Sequence, residues 1–487
     1  MEKTTRFIPK QWYDFNNLIT TIMDNYNRLV EVLSTDEVES INKQWSIAPP
    51  LRIATVCSGT DAPILALEQL LSVLNKDKDE KIQMKHIFSC ENSKFKRDFI
   101  EQTTNPNNLI FNDVVELSSG KGQCHDGKVR TVPDDFNVLI AGTECVDFSS
   151  LTTSPKTLKG GGRSDITFWA THKLAKKYQP SIVVLENVAK CPMNEMAKAF
   201  EDINYIATFR KVCTSEYLLP QSRSRIYFVF VHKDSAQFKS GCTKDDWVSK
   251  MEALGPNRQT NEKISWNDIL LSEGTELSSK KSKKKGGRGK SLSESLSSKW
   301  LAEIVAIEKK EGLTPYDEDG GRPYTDTIKN IEVLAHLPDR AKMRLDVQFK
   351  RAVKAGVDPL KIPLIWNPAQ QLRFTDSGVD SNGKAKTSIA PCVTPGHEWI
   401  VSSLKRPLSG EEALALQGIA IPKKALKQFE CRQLRDLAGN AMSTTVVAAV
   451  FLSIFTTIEL IDNGKKRSVS ADDSSTEEQA SKKQKAN

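Results

Sequence analysis

The sequence predicts an α/β protein, a mostly parallel sheet covered by helices on both faces, with a smaller domain inserted into it. Three observations lead there. Between Leu51 and Val231, short apolar runs alternate with segments of helical spacing, the pattern of strands joined by crossover helices. Several runs end on a residue able to do chemistry: Glu91, Asp113, Cys145 and Glu186 each fall just past a predicted strand. Such sheets bind ligands at the carboxyl ends of their strands, so these side chains are expected on one rim. Finally, residues 232–390 are polar and irregular, and periodicity resumes after them.

Residues 1–50 read as a helical arm. Apolar residues recur at helical spacing from Gln11 to Leu33, predicting one or two helices packed on the main domain; a partner-binding arm is the alternative. The first part of that domain, 51–231, opens with a strand at Arg52–Val56, a turn at Cys57–Asp61 and an apolar helix at Ala62–Leu74. A strand at Lys85–Cys90, a helix at Phe95–Gln102 and a short apolar step at Leu109–Phe111 come next. A strand at Val138–Ala141 leads into the Cys145 loop, and the Thr- and Gly-rich stretch Leu151–Gly162 reads as a mobile lid. A helix at Asp165–Tyr178 and strands at Ser181–Leu185 and Arg225–Val231 complete this part.

The inserted domain, 232–390, carries enough aromatics to fold (Trp247, Trp266, Trp300, Tyr316, Tyr324, Trp366), around a basic, serine-flanked loop near 278–296 that reads as disordered. The closing part, 391–462, has helices at Ser409–Leu416, Glu430–Ala438 and Thr444–Leu460, with a turn at Gly439–Met442. The tail, 463–487, is charged and serine-rich and is expected to be disordered. Its basic clusters, Lys465-Lys466-Arg467 and Lys482-Lys483-Gln484-Lys485, suit nuclear import or simply a solvated tail.

Composition narrows the function classes. The 487 residues are 39% hydrophobic, enough for sizeable cores, and carry a formal net charge of +8, which suits an anionic partner. None of the nine cysteines forms a Cys-x-x-Cys pair, and with six histidines no metal site is expected. The spread fits reduced thiols in a cytosolic or nuclear protein. The first residues lack an apolar signal core, and no apolar run reads as long enough to span a bilayer.

The chemistry begins at the first turn. A strand, a tight Ser58-Gly59 turn and a helix form a nucleotide-type loop in which glycine admits a ligand close to the backbone and the helix offers unpaired N–H groups. Gly59 stands alone, so the Gly-x-Gly-x-x-Gly dinucleotide pattern is missing. Glu91 suits ribose hydroxyls and Asp113 an exocyclic amine, although each also reads as a helix cap. Together they describe a pocket for an adenosyl group without a pyrophosphate, which S-adenosylmethionine fits. Gln221, Arg223 and Arg225 alternate at strand period and would share one face. Two arginines beside a buried strand are costly unless they meet an anion or carbonyl oxygens. Cys145 alone reads as packing; beside Glu186 and this arginine pair it reads as a nucleophile.

In this order and spacing the residues resemble the cytosine-C5 DNA methyltransferases, from about Leu51 to Leu460 with a gap across the inserted domain. Val56–Ala62 is similar to the family's cofactor-loop motif, Glu91 and Asp113 to the acidic residues of its second and third motifs, and Gly142–Ser149 to its nucleophile motif. Glu186-Asn187-Val188 and Gln221, Arg223, Arg225 match the Glu-Asn-Val and Gln-x-Arg-x-Arg motifs unchanged. Pro391–Thr394 and Arg406–Gly418 resemble the segment after the recognition domain, and Gly439-Asn440-Ala441 the last motif.

The resemblance implies a Rossmann-like, S-adenosylmethionine-dependent methyltransferase domain with a smaller inserted target-recognition domain. Cys57, Ser58, Gly59, Thr60, Asp61, Glu91, Asn92, Asp113, Val114, Asn440 and Ala441 would hold the cofactor. The catalytic set would be Cys145, Glu186, Asn187, Arg223 and Arg225. Cys145 would attack C6 of a flipped cytosine, Glu186 would hold N3 and the amine, and Arg225 would hold O2. Arg223 would support the loop or the adduct, and Asn187 would fix the strand end. Lys156, Lys159 and Arg163 would touch phosphates as the lid closes. The implied partner is duplex DNA, met by a monomer in the nucleus and away from any membrane, with a chromatin or targeting partner as a further expectation.

The chain departs from the family at Glu144 (for Pro), at Val146 (for Gln), and at Asp61 and Ala62 (for later glycines). Glu144 is expected to raise the Cys145 pKa unless an arginine compensates. Two rival functions stand beside DNA methylation: the same chemistry on transfer RNA, and a catalytically silent nucleic-acid-binding regulator.

Overall fold

A computed structural model describes residues 15–148, 157–158, 160–255, 265–271, 294–315, 324–325, 337–368, 372 and 389–461. The basic loop, the tail, Tyr316 and most of the lid, Lys156 and Lys159 included, lie outside the described residues.

Two helices, α1 (Phe15–Val30) and α2 (Thr35–Ile47), precede β1 (Leu51–Val56) and α3 (Ala62–Leu74). Next come β2 (Met84–Cys90), α4 (Lys94–Thr103), β3 (Ile110–Phe111), α5 (Val114–Leu117) and a small hairpin, β4 (Lys121–Gln123) with β5 (Val129–Thr131). The chain continues through β6 (Val138–Gly142), α6 (Arg163–Tyr178), β7 (Ile182–Val188), α7 (Met193–Glu201), β8 (Tyr205–Cys213), β9 (Gln221–Ser222) and β10 (Ser224–His232). The strand order is β3-β2-β1-β6-β7-β10-β8. Pairs from β3 to β7 are parallel, and β10 is antiparallel to both neighbours. The order reverses between β1 and β6, and that switch point opens a crevice at the carboxyl ends of the strands.

The inner strands are apolar on both faces, as strands covered on both sides must be. In β6, Val138 and Ile140 enter one core while Leu139 and Ala141 enter the other. Ile182 and Val184 of β7 follow the first parity, Val183 and Leu185 the second. The second core is covered by α5, α6 and α7 through residues such as Leu117, Phe168 and Phe200.

After β10 the chain forms β11 (Ala236–Phe238), α8 (Lys244–Ala253), α9 (Glu294–Glu311), α10 (Asp339–Lys354), β12 (Ile365–Trp366), β13 (Ala390–Pro391), β14 (Ile400–Val401) and β15 (Arg406–Pro407). It closes with α11 (Gly410–Ala415), α12 (Lys423–Leu426), α13 (Cys431–Asn440), α14 (Thr444–Thr457) and β16 (Ile458–Leu460). The first core is covered by α3, α8 and α14, and α14 is buried almost end to end. The predicted N-terminal helices form and pack there: Tyr26 and Leu29 are buried, and the Trp45 indole donates to the Phe455 carbonyl at 3.1 Å.

Several elements differ from expectation. β7 runs on to Val188, because antiparallel β10 extends the ladder past the end of β6, so Glu186 sits inside a strand, opposite Gly142 and Tyr227. β8 is an edge strand of mixed burial, and the β4–β5 hairpin is built from three-residue strands; neither shows a clear period. Gly439 and Asn440 are the end of α13 rather than a turn. The closing helix stops at Thr457, and Ile458–Leu460 pair with β11. The stretch Cys431–Thr457 is long and apolar enough to cross a membrane, yet its apolar window is 94% buried inside the protein.

Within 232–390, Trp247, Met251, Trp266 and Leu270 bury in the core of the main sheet. A separate core gathers Tyr324, Leu345, Leu364 and Trp366, with Ile304, Leu313 and Val347 beside it. All nine cysteines are free thiols.

Candidate active site

The carboxyl ends of β1, β2, β6 and β7 open into a cavity of about 820 Å³. The rim expected from sequence is assembled there: Glu91, Asp113, Cys145 and Glu186 all line it, with Cys57, Gly59, Asn92, Val114, Arg223, Arg225 and Asn440.

At one end the β1–α3 turn carries left-handed backbone at Cys57 (φ +50°), Gly59 (φ +57°) and Asp61 (φ +52°). Nothing lies within 4 Å of the place a Gly59 Cβ would occupy, so this backbone faces open space. Glu91 is buried and links two turns: Oε2 accepts from Gly59 N–H and Oε1 from Ser93 N–H, each at 2.9 Å. Each carboxylate oxygen has two acceptor sites, so one remains on each. Asp113 is the N-cap of α5, accepting from Val115 N–H at 2.9 Å, and it also lines the cavity.

Five expected contributors stand behind the cavity wall. Asp61 is fully buried and accepts from Thr55 Oγ1 and Ser89 Oγ at 2.6 Å and from Thr104 Oγ1 at 2.9 Å, so it braces the turn from within. Ser58 Oγ donates to the Cys90 carbonyl at 3.1 Å, and Thr60 Oγ1 accepts from Ala62 N–H at 3.3 Å. Asn187 Nδ2 donates to Thr143 Oγ1 at 3.0 Å, locking β7 to the Cys145 loop. The carbonyl of Ala441 is taken by Arg223.

At the other end, Cys145 is half-buried in a turn closed by Phe148 N–H donating to its carbonyl at 3.1 Å. The loop is pinned to α6 where Glu144 N–H donates to Thr167 Oγ1 at 3.1 Å and Ser164 N–H donates to Asp147 Oδ2 at 2.8 Å. Glu186 continues the parity of Ile182 and Val184, and Arg225 that of Tyr227, so the two meet diagonally across β7 and β10. Arg225 Nε lies 2.9 Å from Glu186 Oε1 in an ion pair, while that buried oxygen has no hydrogen-bond partner.

Arg223 is nearly fully buried and meets carbonyl oxygens: Val393 and Gly439 at 3.1 Å and Ala441 at 2.9 Å. The three motif residues do not lie on one continuous strand. The ladder breaks at Arg223, and β9 pairs instead with β13. Gln221 therefore turns to the closing segment, accepting from Val393 N–H at 3.0 Å and donating to the Leu416 carbonyl at 2.9 Å.

Burial pushes the Cys145 thiol above its ordinary value, and Glu186 adds to the rise. Arg225 and Arg223 oppose it, and Glu144 contributes least. Glu144 therefore acts in the expected direction but ranks behind burial and Glu186. Among the cavity-lining residues missed from sequence are Lys96, 3.6 Å from Asp436, and His397, 2.6 Å from Thr394 Oγ1. Lys96 lies five positions after Glu91 in the following helix, and His397 follows a Pro-Gly pair; those placements are the only signals either carried.

The family model of C-5 cytosine-specific DNA methylases matches residues 78–456. A protein of Cryptococcus neoformans var. grubii named DNA (cytosine-5-)-methyltransferase DMT5 is 32% identical over 420 residues, 83% of this chain and 17% of that protein. A Verticillium dahliae protein of the same name is 26% identical over 473 residues, 82% of this chain and 19% of that protein. The chain thus spans less than a fifth of the length of these relatives. Among solved structures, the S. pombe Dnmt2 methyltransferase covers 83% of this chain and 98% of its own at 12% identity, with a TM-score of 0.40. On the extent of the family match, this chain belongs to the C-5 cytosine-specific DNA methylase family.

Proposed function

We propose that this chain transfers a methyl group from S-adenosylmethionine to C5 of cytosine in duplex DNA. The observation that carries the reading is the convergence of Cys145, Glu186 and Arg225 on the same cavity as Gly59, Glu91 and Asp113. The residues fit the cofactor: open space at Gly59 receives a ligand against the backbone, and Glu91 keeps acceptor capacity for a ribose diol. Asp113 and Asn440 would complete its surroundings. Bound there, S-adenosylmethionine would supply an electrophilic methyl group, its methyl–sulfur bond breaking to leave a neutral thioether.

This chain's own residues do the rest. The Cys145 thiolate adds to C6 of cytosine, forming an S–C6 bond and making C5 nucleophilic. Glu186, which lines the cavity beside Arg225, faces the N3 and amine edge, while Arg225 holds O2 and the charge that develops. After methylation at C5, loss of the C5 proton to water re-forms the double bond and breaks S–C6, freeing Cys145. Arg223 acts from behind as a positioning residue, and Asn187 fixes the strand end. A base inside a duplex cannot reach this cavity, so the target cytosine is flipped out. The unit with its own core between α9 and β12 serves as the recognition domain. The protein acts as a monomer in the nucleus, alongside any chromatin or targeting partner.

Methyl transfer from labelled S-adenosylmethionine, run in parallel on unmethylated duplex DNA, hemimethylated duplex DNA and transfer RNA, tests the reading. An oligonucleotide carrying 5-fluorocytosine should trap a covalent complex that disappears in Cys145→Ser. Transfer only to RNA would move the substrate; no transfer and no adduct on any substrate would overturn the reading.

A further inference from the structure

The proposed chemistry leaves one polar cluster unused. Arg97, on α4, donates from one terminal nitrogen to the Glu91 carbonyl at 2.9 Å and the Asn92 carbonyl at 2.7 Å. Those two residues directly follow β2 and line the proposed cofactor end of the cavity. The Arg97 Nε–H donates to His125 Nδ1 at 3.1 Å. His125 stands in the β4–β5 hairpin, whose position it fixes by donating its own backbone N–H to the Ile110 carbonyl at 2.7 Å.

A guanidinium Nε–H has no lone pair, so Nδ1 of His125 must be the acceptor and Nε2 must carry the ring proton. Nε2 stands 3.1 Å from Asp98 Oδ1 and 3.8 Å from Glu101 Oε2. Asp98, Glu101 and His125 stand close enough together for metal ligation. The tautomer argues otherwise, because the nitrogen a metal would need is the one that holds the proton. The arrangement is a relay of hydrogen bonds: His125, with Asp98 beside it, accepts from Arg97, and Arg97 grips the backbone that presents Glu91.

We propose that the β4–β5 hairpin sets the cofactor site through this relay, with His125 and Arg97 as positioning residues for Glu91. The proposal rests on the assignment of this end of the cavity to S-adenosylmethionine. Removing the acceptor frees the Arg97 fork to rotate, the Glu91–Asn92 turn loosens, and cofactor affinity falls while the Cys145 end is untouched.

The test measures S-adenosylmethionine binding by calorimetry, with KM and kcat for methyl transfer to DNA, in wild type, His125→Ala, His125→Asn, Arg97→Gln and the double variant of His125→Ala with Arg97→Gln. Expected is a loss of about tenfold in cofactor affinity and a matching rise in its KM in His125→Ala, with kcat at saturating cofactor and DNA affinity within about twofold of wild type. His125→Asn, whose Oδ1 stands in for Nδ1, should recover most of the loss. The double variant should lose no more than Arg97→Gln alone, as members of one relay do.

Wild-type affinity in His125→Ala would overturn the relay and leave the cofactor assignment standing. So would a fall in melting temperature and DNA affinity together that Asn does not recover. Should His125→Ala not fold, Arg97→Gln decides by the same split between KM and kcat. Failure of wild type itself to bind S-adenosylmethionine would overturn the cofactor assignment, and the proposal with it.

Discussion

A single added methyl group at Gly439 should damage both stability and the cavity. A Cβ there would stand 2.3 Å from Pro395 N, 2.5 Å from Thr394 C and 2.7 Å from Pro395 Cα, all backbone atoms. Two effects compete in Gly439→Ala. The residue is helical, so alanine gains about 0.5–1 kcal/mol by propensity. Overpacking costs about 1–3 kcal/mol, less where a side chain can swing away. None can here, because the Thr394–Pro395 backbone follows Val393, whose N–H and C=O are held by Gln221 and Arg223. The cost belongs at the upper end, and the net loss is about 2 kcal/mol. For a chain of this size that lowers the melting temperature by about 2 °C, measurable by scanning calorimetry. Relief of the clash must move α13 or the 394–397 turn, and both carry cavity-lining residues, Asn440 and His397. Cofactor affinity should therefore fall by about tenfold, the equivalent of 1.4 kcal/mol. An alanine variant that melts and binds like wild type would refute the contact between α13 and Pro395.

The reactive form of Cys145 is its thiolate, and burial raises its pKa, so its alkylation by iodoacetamide, followed by mass spectrometry, should climb steeply as pH rises above neutrality. Glu186→Gln and Glu144→Gln remove charges that oppose ionisation and shift the profile to lower pH, Glu186→Gln further; Arg225→Met shifts it to higher pH. A larger shift from Glu144 than from Glu186 would contradict the ranking. Asn187→Ala breaks the buried bond to Thr143 and should cost about 1–2 kcal/mol in denaturant unfolding, with kcat reduced and cofactor affinity retained. Asp346 is pushed up to about 6 by burial, against 3.8 when unfolded. The folded unit therefore binds the extra proton between those values, and its stability falls as pH rises from about 4 through about 6. Thermal melts across that range should show the slope, and Asp346→Asn should flatten it.

Much of this was legible because buried parallel strands write themselves as apolar runs. β1, β2, β6 and β7 stand where those runs fall, and the chemistry at their ends converges as the topology requires. The elements that escaped lack such a signature. β8 is an edge strand whose buried residues fall on both faces without alternation, and the β4–β5 hairpin holds strands too short to show a period. The site was legible as a set of residue types but not as a division of labour. Nothing in the order of residues 57–61 tells that Gly59 faces the cavity while Asp61 turns inward to three hydroxyls. Arg223 and Arg225 look alike in sequence. The break in the ladder between β9 and β10 sends one to the backbone of the closing segment and the other to Glu186. Trp247 and Trp266 come after a change in texture, yet long-range packing returns them to the main core.

The burial of α14 has a consequence for how the protein is made. This helix covers one whole face of the sheet with α3 and α8, but its residues leave the ribosome hundreds of positions after β1. Until Thr457 is free, a nascent chain can pair its strands but presents a bare apolar face, and neither Gly439 nor Ala441 has yet met Arg223. The sheet and the chemistry it carries are therefore completed late and together. Synthesis is the interval in which the chain is most exposed to aggregation and most dependent on chaperones. A premature stop between Arg223 and Thr444 should yield insoluble protein rather than a weak enzyme, and a separately expressed segment spanning 389–461 should restore solubility when supplied alongside it.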